Sequence, residues 1–152
     1  DPFNLPAELC MEFSHTDPWV FQHNLHNTQM QSNGALLGSI LPPNAQALFT
    51  SVAIPLFENA QAQAEWHWQQ RDLQSPGSSI FEVHDSTSGD TKAFLATNVE
   101  NRNEVLLSVE WSWRRFVELK AGAGGLTVQN WKGNISQTLA SPEVFGEVYF
   151  HY

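Results

Sequence analysis

Cysteine occurs once in the 152 residues, at Cys10, so no internal disulfide can staple the chain. Flanked by Leu9 and Met11, that thiol reads as a small hydrophobe. Basic residues are also scarce, with seven Lys and Arg against sixteen Asp and Glu, a formal charge of −9. Cations scattered singly over an acidic chain cannot build the stripe that releases counterions from a phosphate backbone, which excludes nucleic acid as a partner. Long apolar runs are missing as well. The best, Val52 to Phe57, is interrupted by Pro55 and falls far short of the roughly 18 residues of a spanning helix. No transmembrane segment is therefore expected. Only 15% of the residues are charged, yet six Trp and ten Phe are present, a composition that folds rather than one that stays disordered.

The motifs of site chemistry are absent too. There is no HExxH, paired CxxC, EF-hand loop or GxSxG, and Gly122-Ala123-Gly124-Gly125 lacks the lysine of a phosphate loop. His23 and His26, three apart, would point to opposite faces of a strand. No catalytic residue, metal or cofactor is assigned. Asn134-Ile135-Ser136 is a glycosylation sequon, which favours a secreted or extracellular protein over a cytoplasmic one.

What is present is alternation. From Ala60 to Gln69, Ala60, Ala62, Ala64, Trp66 and Trp68 alternate with Gln61, Gln63, Glu65, His67 and Gln69, the period of two of a strand. Glu104 to Trp113 repeats it, with Val105, Leu107, Val109, Trp111 and Trp113 on one side. Shorter strands are expected at Trp19–Asn27, Ala35–Leu41, Leu48–Ile54, Ser79–His84, Ala93–Asn98, Leu126–Trp131 and Glu147–Tyr152, separated by turn clusters rich in Pro, Gly, Asn and Ser. A short helix is expected within Asp1 to Phe13, and a hairpin turn at Gly122 to Gly125. The chain, residues 1–152, reads as one all-β domain: an antiparallel two-sheet β-sandwich of about nine strands, with a β-barrel as the alternative.

Each Trp-x-Trp pair places two indoles on one strand face about 6 to 7 Å apart, either as core or as a platform for a sugar ring or a lipid interface. Trp113-Arg114-Arg115 adds the one adjacent basic pair, suited to an anionic head group or a carboxylate. The expected ligand-binding residues are Trp111, Trp113, Arg114, Arg115 and Trp131 at one end of the sandwich.

Ser79-Ile80-Phe81-Glu82-Val83-His84-Asp85 with Ser86-Thr87-Ser88-Gly89 and Lys92, the Trp19-Val20-Phe21 segment running to Asn27, and Gly133-Asn134 through Phe145-Gly146-Glu147-Val148 resemble the hairpins and the opening and closing strands of aegerolysins. The resemblance implies a small β-sandwich that recognises membrane lipids; no residue role is carried over from it. The expected function is accordingly non-enzymatic recognition of a membrane lipid or a toxin-like partner subunit. The alternatives are a carbohydrate-binding lectin and a small barrel enzyme with an internal pocket near Glu65 and His67. A homo-oligomer paired through its amide-rich strands is a further expectation.

Overall fold

The computed structural model describes residues 6–20, 31–32, 35–36, 41–79, 93–113 and 116–150. Its strands are β1 (Glu8–Thr16), β2 (Gln31–Ser32), β3 (Ala35–Leu36), β4 (Ala45–Phe57), β5 (Ala60–Asp72), β6 (Val99–Trp113), β7 (Val117–Gln129) and β8 (Thr138–Phe150). Six of them form one antiparallel sheet in the order β1-β4-β5-β6-β7-β8, while β2 and β3 make a separate ribbon. Apart from the insertion of β2 and β3, the sheet is a meander of neighbours in sequence, and it is not closed.

The all-β, antiparallel reading holds, but one long-stranded sheet stands where nine strands in two packed sheets were expected. Several expected strands are pieces of longer ones. Leu48–Ile54 widens into β4, Leu126–Trp131 ends at Gln129 as the last part of β7, and Glu147 opens the closing stretch of β8. Ala93–Asn98 is loop leading into β6 rather than strand, and of the expected Ser79–His84 strand only Ser79 lies within the described residues.

Two local readings are corrected. The expected helix is β1, because Leu9, Met11 and Phe13 alternate with Glu8, Cys10 and Glu12, and pairing against Val52, Thr50 and Leu48 outweighs the helix propensity of Glu, Leu and Met. The expected turn at Gly122 to Gly125 is mid-strand in β7. There the missing side chains make room for neighbours: a Cβ on Gly122 would lie 2.7 Å from the Phe145 ring and 2.6 Å from the Leu107 carbonyl oxygen, and one on Gly124 would meet Leu106 at 2.7 Å.

Packing is concentrated at one end. The buried apolar residues are Trp19, Leu41, Ala45 and Val128. They lie beside the long connections, 17–44, 73–98 and 130–137, all at this end of the sheet. Asp72 and Asn44 tie these loops together. The Asp72 carboxylate accepts from the Gln74 and Ser75 amides (2.9 and 3.0 Å), the Ser75 hydroxyl (2.7 Å), and the Thr97 amide and hydroxyl (3.0 and 2.8 Å). Burial alone would raise its pKa, but these donors outweigh it and hold the carboxyl well below the usual range. Asn44 donates to Ser78 (2.7 Å) and accepts from the Leu95 amide (2.9 Å). At the other end the connections are short: Glu58–Asn59 joins β4 to β5, and 114–116 joins β6 to β7.

Candidate functional site

Residues directly opposite in an antiparallel sheet share a face, so the register sorts every side chain. One row across the sheet is Leu9, Val52, Ala64, Leu107, Ala123 and Val144. The next is Ile54, Ala62, Val109, Ala121 and Gly146. A bulge between Pro55 and Phe57 keeps the third in phase, so Phe57, Ala60, Trp111, Leu119 and Val148 align on the same side. On the loop side of these rows stand Met11, Trp66 and Val105, then Phe13, Leu48 and Trp68.

This face carries no Glu, Lys or Arg. Its acid is Asp72, at the loop end, where His15 and amides from Gln46, Gln70, Asn101 and Gln129 replace the apolar rows. Gln46 donates to Gln70 at 2.9 Å there, closing a polar belt.

The other face holds every Glu, Lys and Arg of the six strands. Arg71 grips Glu100 at 2.7 to 2.8 Å, Glu65 and His67 hydrogen-bond at 3.1 Å, and Gln61 donates to Glu110 at 3.3 Å. The Phe49 ring lies 4.7 Å from that of His67. Toward the short turns the Tyr149 hydroxyl donates to Glu147 at 2.6 Å, and this bond with the surrounding carboxylates raises the Tyr149 pKa.

Exposure is inverted relative to a water-soluble sheet. On β6, Leu107 and Val109 are 59% and 47% exposed, whereas Ser108 between them is 8% exposed. The Glu65 and Glu104 side chains are each only 19% exposed, while Trp66 across the sheet is 41% exposed. At these positions of the central strands the polar side chains shield one another and the apolar ones stand clear, while β1 and β8 are exposed on both faces.

Of the expected site residues, Trp111 and Trp113 lie on the apolar face next to the short turns, both exposed. Trp131 lies at the opposite end, in the 3-10 turn Trp131–Gly133 between β7 and β8, with the Lys132 ammonium 5.4 Å from its ring centre. The structure therefore does not gather these three indoles at one end. Arg114 and Arg115 fall outside the described residues. Glu65 and His67, the residues of the enzyme alternative, share the charged face of an open sheet. Among the described residues no group of three or more His, Cys, Asp or Glu is arranged to hold a metal, and no helix is long and apolar enough to cross a membrane, a result that bears only on helices.

Sequence reasoning missed the face as a unit. Leu9, Met11 and Phe13 belong to it with Val144, Val148 and Phe150, all more than half exposed. The signal was available in the strict alternation of the first fifteen residues, read instead as a helix. Comparisons with known proteins are silent on this arrangement: no protein-family model, curated protein or solved structure matches the chain.

Proposed function

We propose that the chain works at a membrane, with the whole apolar face of the sheet, rather than one end of it, in contact with lipid hydrocarbon. The observation that carries this reading is the charge-free face itself. Strands at ~4.8 Å, six of them from the Trp68 row to the Leu107 row and narrowing to three at the Trp113 row, over ten residues at ~3.4 Å give an area of roughly 900 Å². The largest apolar patch of a soluble monomer is about 300–600 Å². Acyl chains ask nothing of a surface except the absence of unpaired polar groups, and from the Leu9 row to the Trp113 row the side chains of this face carry no polar group but the indole N–H.

Aromatic positions support the same partner. Indole suits the boundary between hydrocarbon and water, since its ring is apolar and its N–H seeks an acceptor. Trp66 and Trp68 stand toward one margin of the face, Trp111 and Trp113 toward the other, so the Trp-x-Trp pairs act as margins of a lipid-facing band. Polar side chains enter in the Trp68 row itself with Asn103 and Thr127, and the amide belt of Gln46, Gln70, Asn101 and Gln129 follows beyond it.

The test is flotation with vesicles of phosphatidylcholine and phosphatidylglycerol, comparing the wild type with Leu107→Glu, which places a carboxylate in the centre of the face. The wild type rises with the vesicles and Leu107→Glu does not. A wild-type chain that stays at the bottom of the gradient, as a defined dimer in light scattering without lipid, overturns the reading in favour of two copies joined face to face.

A further inference from the structure

The proposed function requires only that lipid touch the sheet; three further observations bear on how deeply. The first is the inverted exposure, with Ser108, Glu100 and Glu104 shielded on the charged face while Leu107 and Val109 project. A sheet lying flat on a bilayer would leave its charged face open to bulk water on all sides, with no reason for those groups to be the occluded ones.

The second is the height of the apolar band. From the row of Trp68 and Asn103 to Trp113 is ten residues along β6, ~34 Å along the strand and, at the ~40° tilt of membrane barrels, ~26 Å along the normal. The apolar band of such barrels is about 25 Å tall and flanked by aromatic rows. Here the Trp66/Trp68 and Trp111/Trp113 rows supply both margins.

The third is connectivity. Every long connection leaves from the loop end, and the two short ones, Glu58–Asn59 and 114–116, turn at the other. Short turns on one side and long loops on the other are how a membrane meander is strung.

On the strength of the membrane reading, we infer that the sheet crosses the bilayer as part of the wall of a β-barrel. Its apolar face meets acyl chains, and its charged face lines an aqueous lumen that admits polar solutes. Backbone N–H and C=O groups cannot face hydrocarbon unpaired, so neighbouring strands must lie against β1 and β8, which end the sheet. These two edge strands run antiparallel to one another, so each can take a neighbour in the same up-and-down pattern. Six strands are also fewer than the eight of the smallest bacterial barrels of this kind.

Single cysteines in a Cys10→Ser background, reconstituted in the same vesicles and probed with a membrane-impermeant maleimide, test the crossing. Labelling along β6 is expected at Glu110→Cys and Ser112→Cys, which lie on the charged face and are not buried, and lost at Leu107→Cys and Val109→Cys. Asn59→Cys, in the short β4–β5 turn, and Ile135→Cys, in the β7–β8 loop, are both exposed, so neither disturbs a packed position. Probed with a maleimide carried on a polymer too large to pass the lumen, they should label from opposite sides of the vesicle, one before and one only after the membrane is opened with detergent. Both labelling from outside, with flotation intact, would leave the membrane reading standing and overturn the crossing. Loss of flotation would overturn both. A β-sheet circular dichroism spectrum matching that of the Cys10→Ser parent serves as the folding control for each variant.

Discussion

Leu107 and Ser108 are consecutive on β6, yet the leucine is 59% exposed and the serine 8%. In a water-soluble sheet the order would be reversed, because burying apolar area is what drives folding. The pair shows the pattern of the central strands, whose polar side chains shelter one another while the apolar side chains of the opposite face stand open.

A depth-dependent cost follows from that arrangement. Val109 lies one residue from the midline between the Trp66/Trp68 and Trp111/Trp113 rows, and Leu119 lies in the Trp111 row. In vesicles, Val109→Arg should cost about 2–4 kcal/mol and Leu119→Arg about 0–1 kcal/mol. Urea unfolding of both variants in lipid checks the difference, and equal costs would show that the two positions share one environment.

Tryptophan emission offers a direct reading of the same face. Trp66, Trp111 and Trp113 are exposed at the surface of the protein alone, so lipid vesicles should shift their emission to the blue, and brominated acyl chains should quench it. Trp19, 7% exposed in the loop-end core, supplies an unresponsive background. Emission unchanged by lipid would contradict contact at this face.

The glycines of β7 separate steric need from chance. Gly122→Ala brings a methyl to 2.6 Å from the Leu107 carbonyl and 2.7 Å from the Phe145 ring, so it should destabilise the sheet by about 1–3 kcal/mol. Gly125→Ala has its nearest neighbour at 3.7 Å, and Gly146→Ala has none within 4 Å. These two should be neutral or slightly stabilising, since alanine narrows the unfolded ensemble. Denaturant midpoints of the three variants decide the matter.

Acid should loosen the loop end before the strands. The folded pKa of Asp72 lies below its unfolded value, so its contribution is complete above the ordinary carboxylate range near ~3.9 and is lost as pH falls through the lower folded value. Amide exchange at Gln74, Ser75 and Thr97 should therefore rise as pH drops below ~4 relative to the intrinsic rate, an expectation set by linkage. Asp72→Asn should remove that pH dependence and cost about 1–3 kcal/mol, because a neutral amide replaces an acceptor of five hydrogen bonds. A variant with unchanged stability and the same acid profile would mean that this cluster does not hold the loops.

By itself the sequence determined the strand character of the chain, the sorting of residues into two faces along β5 and β6, and the lack of any apolar run long enough for a spanning helix. Those are local properties, written in a period of two and in net composition. It did not determine that β1 is a strand, that Gly122 to Gly125 run through the middle of β7, or that Trp131 lies far from Trp113. Each depends on a neighbour: Leu9 finds Val52, Phe145 covers Gly122, and the meander carries Trp131 to the loop end. Alternation says that a strand has two sides without saying which one faces water. Only the tertiary structure sorted their exposure, by occluding Glu65, Glu104 and Ser108 among their partners on the central strands and leaving Leu9, Leu107 and Val144 of the apolar side open.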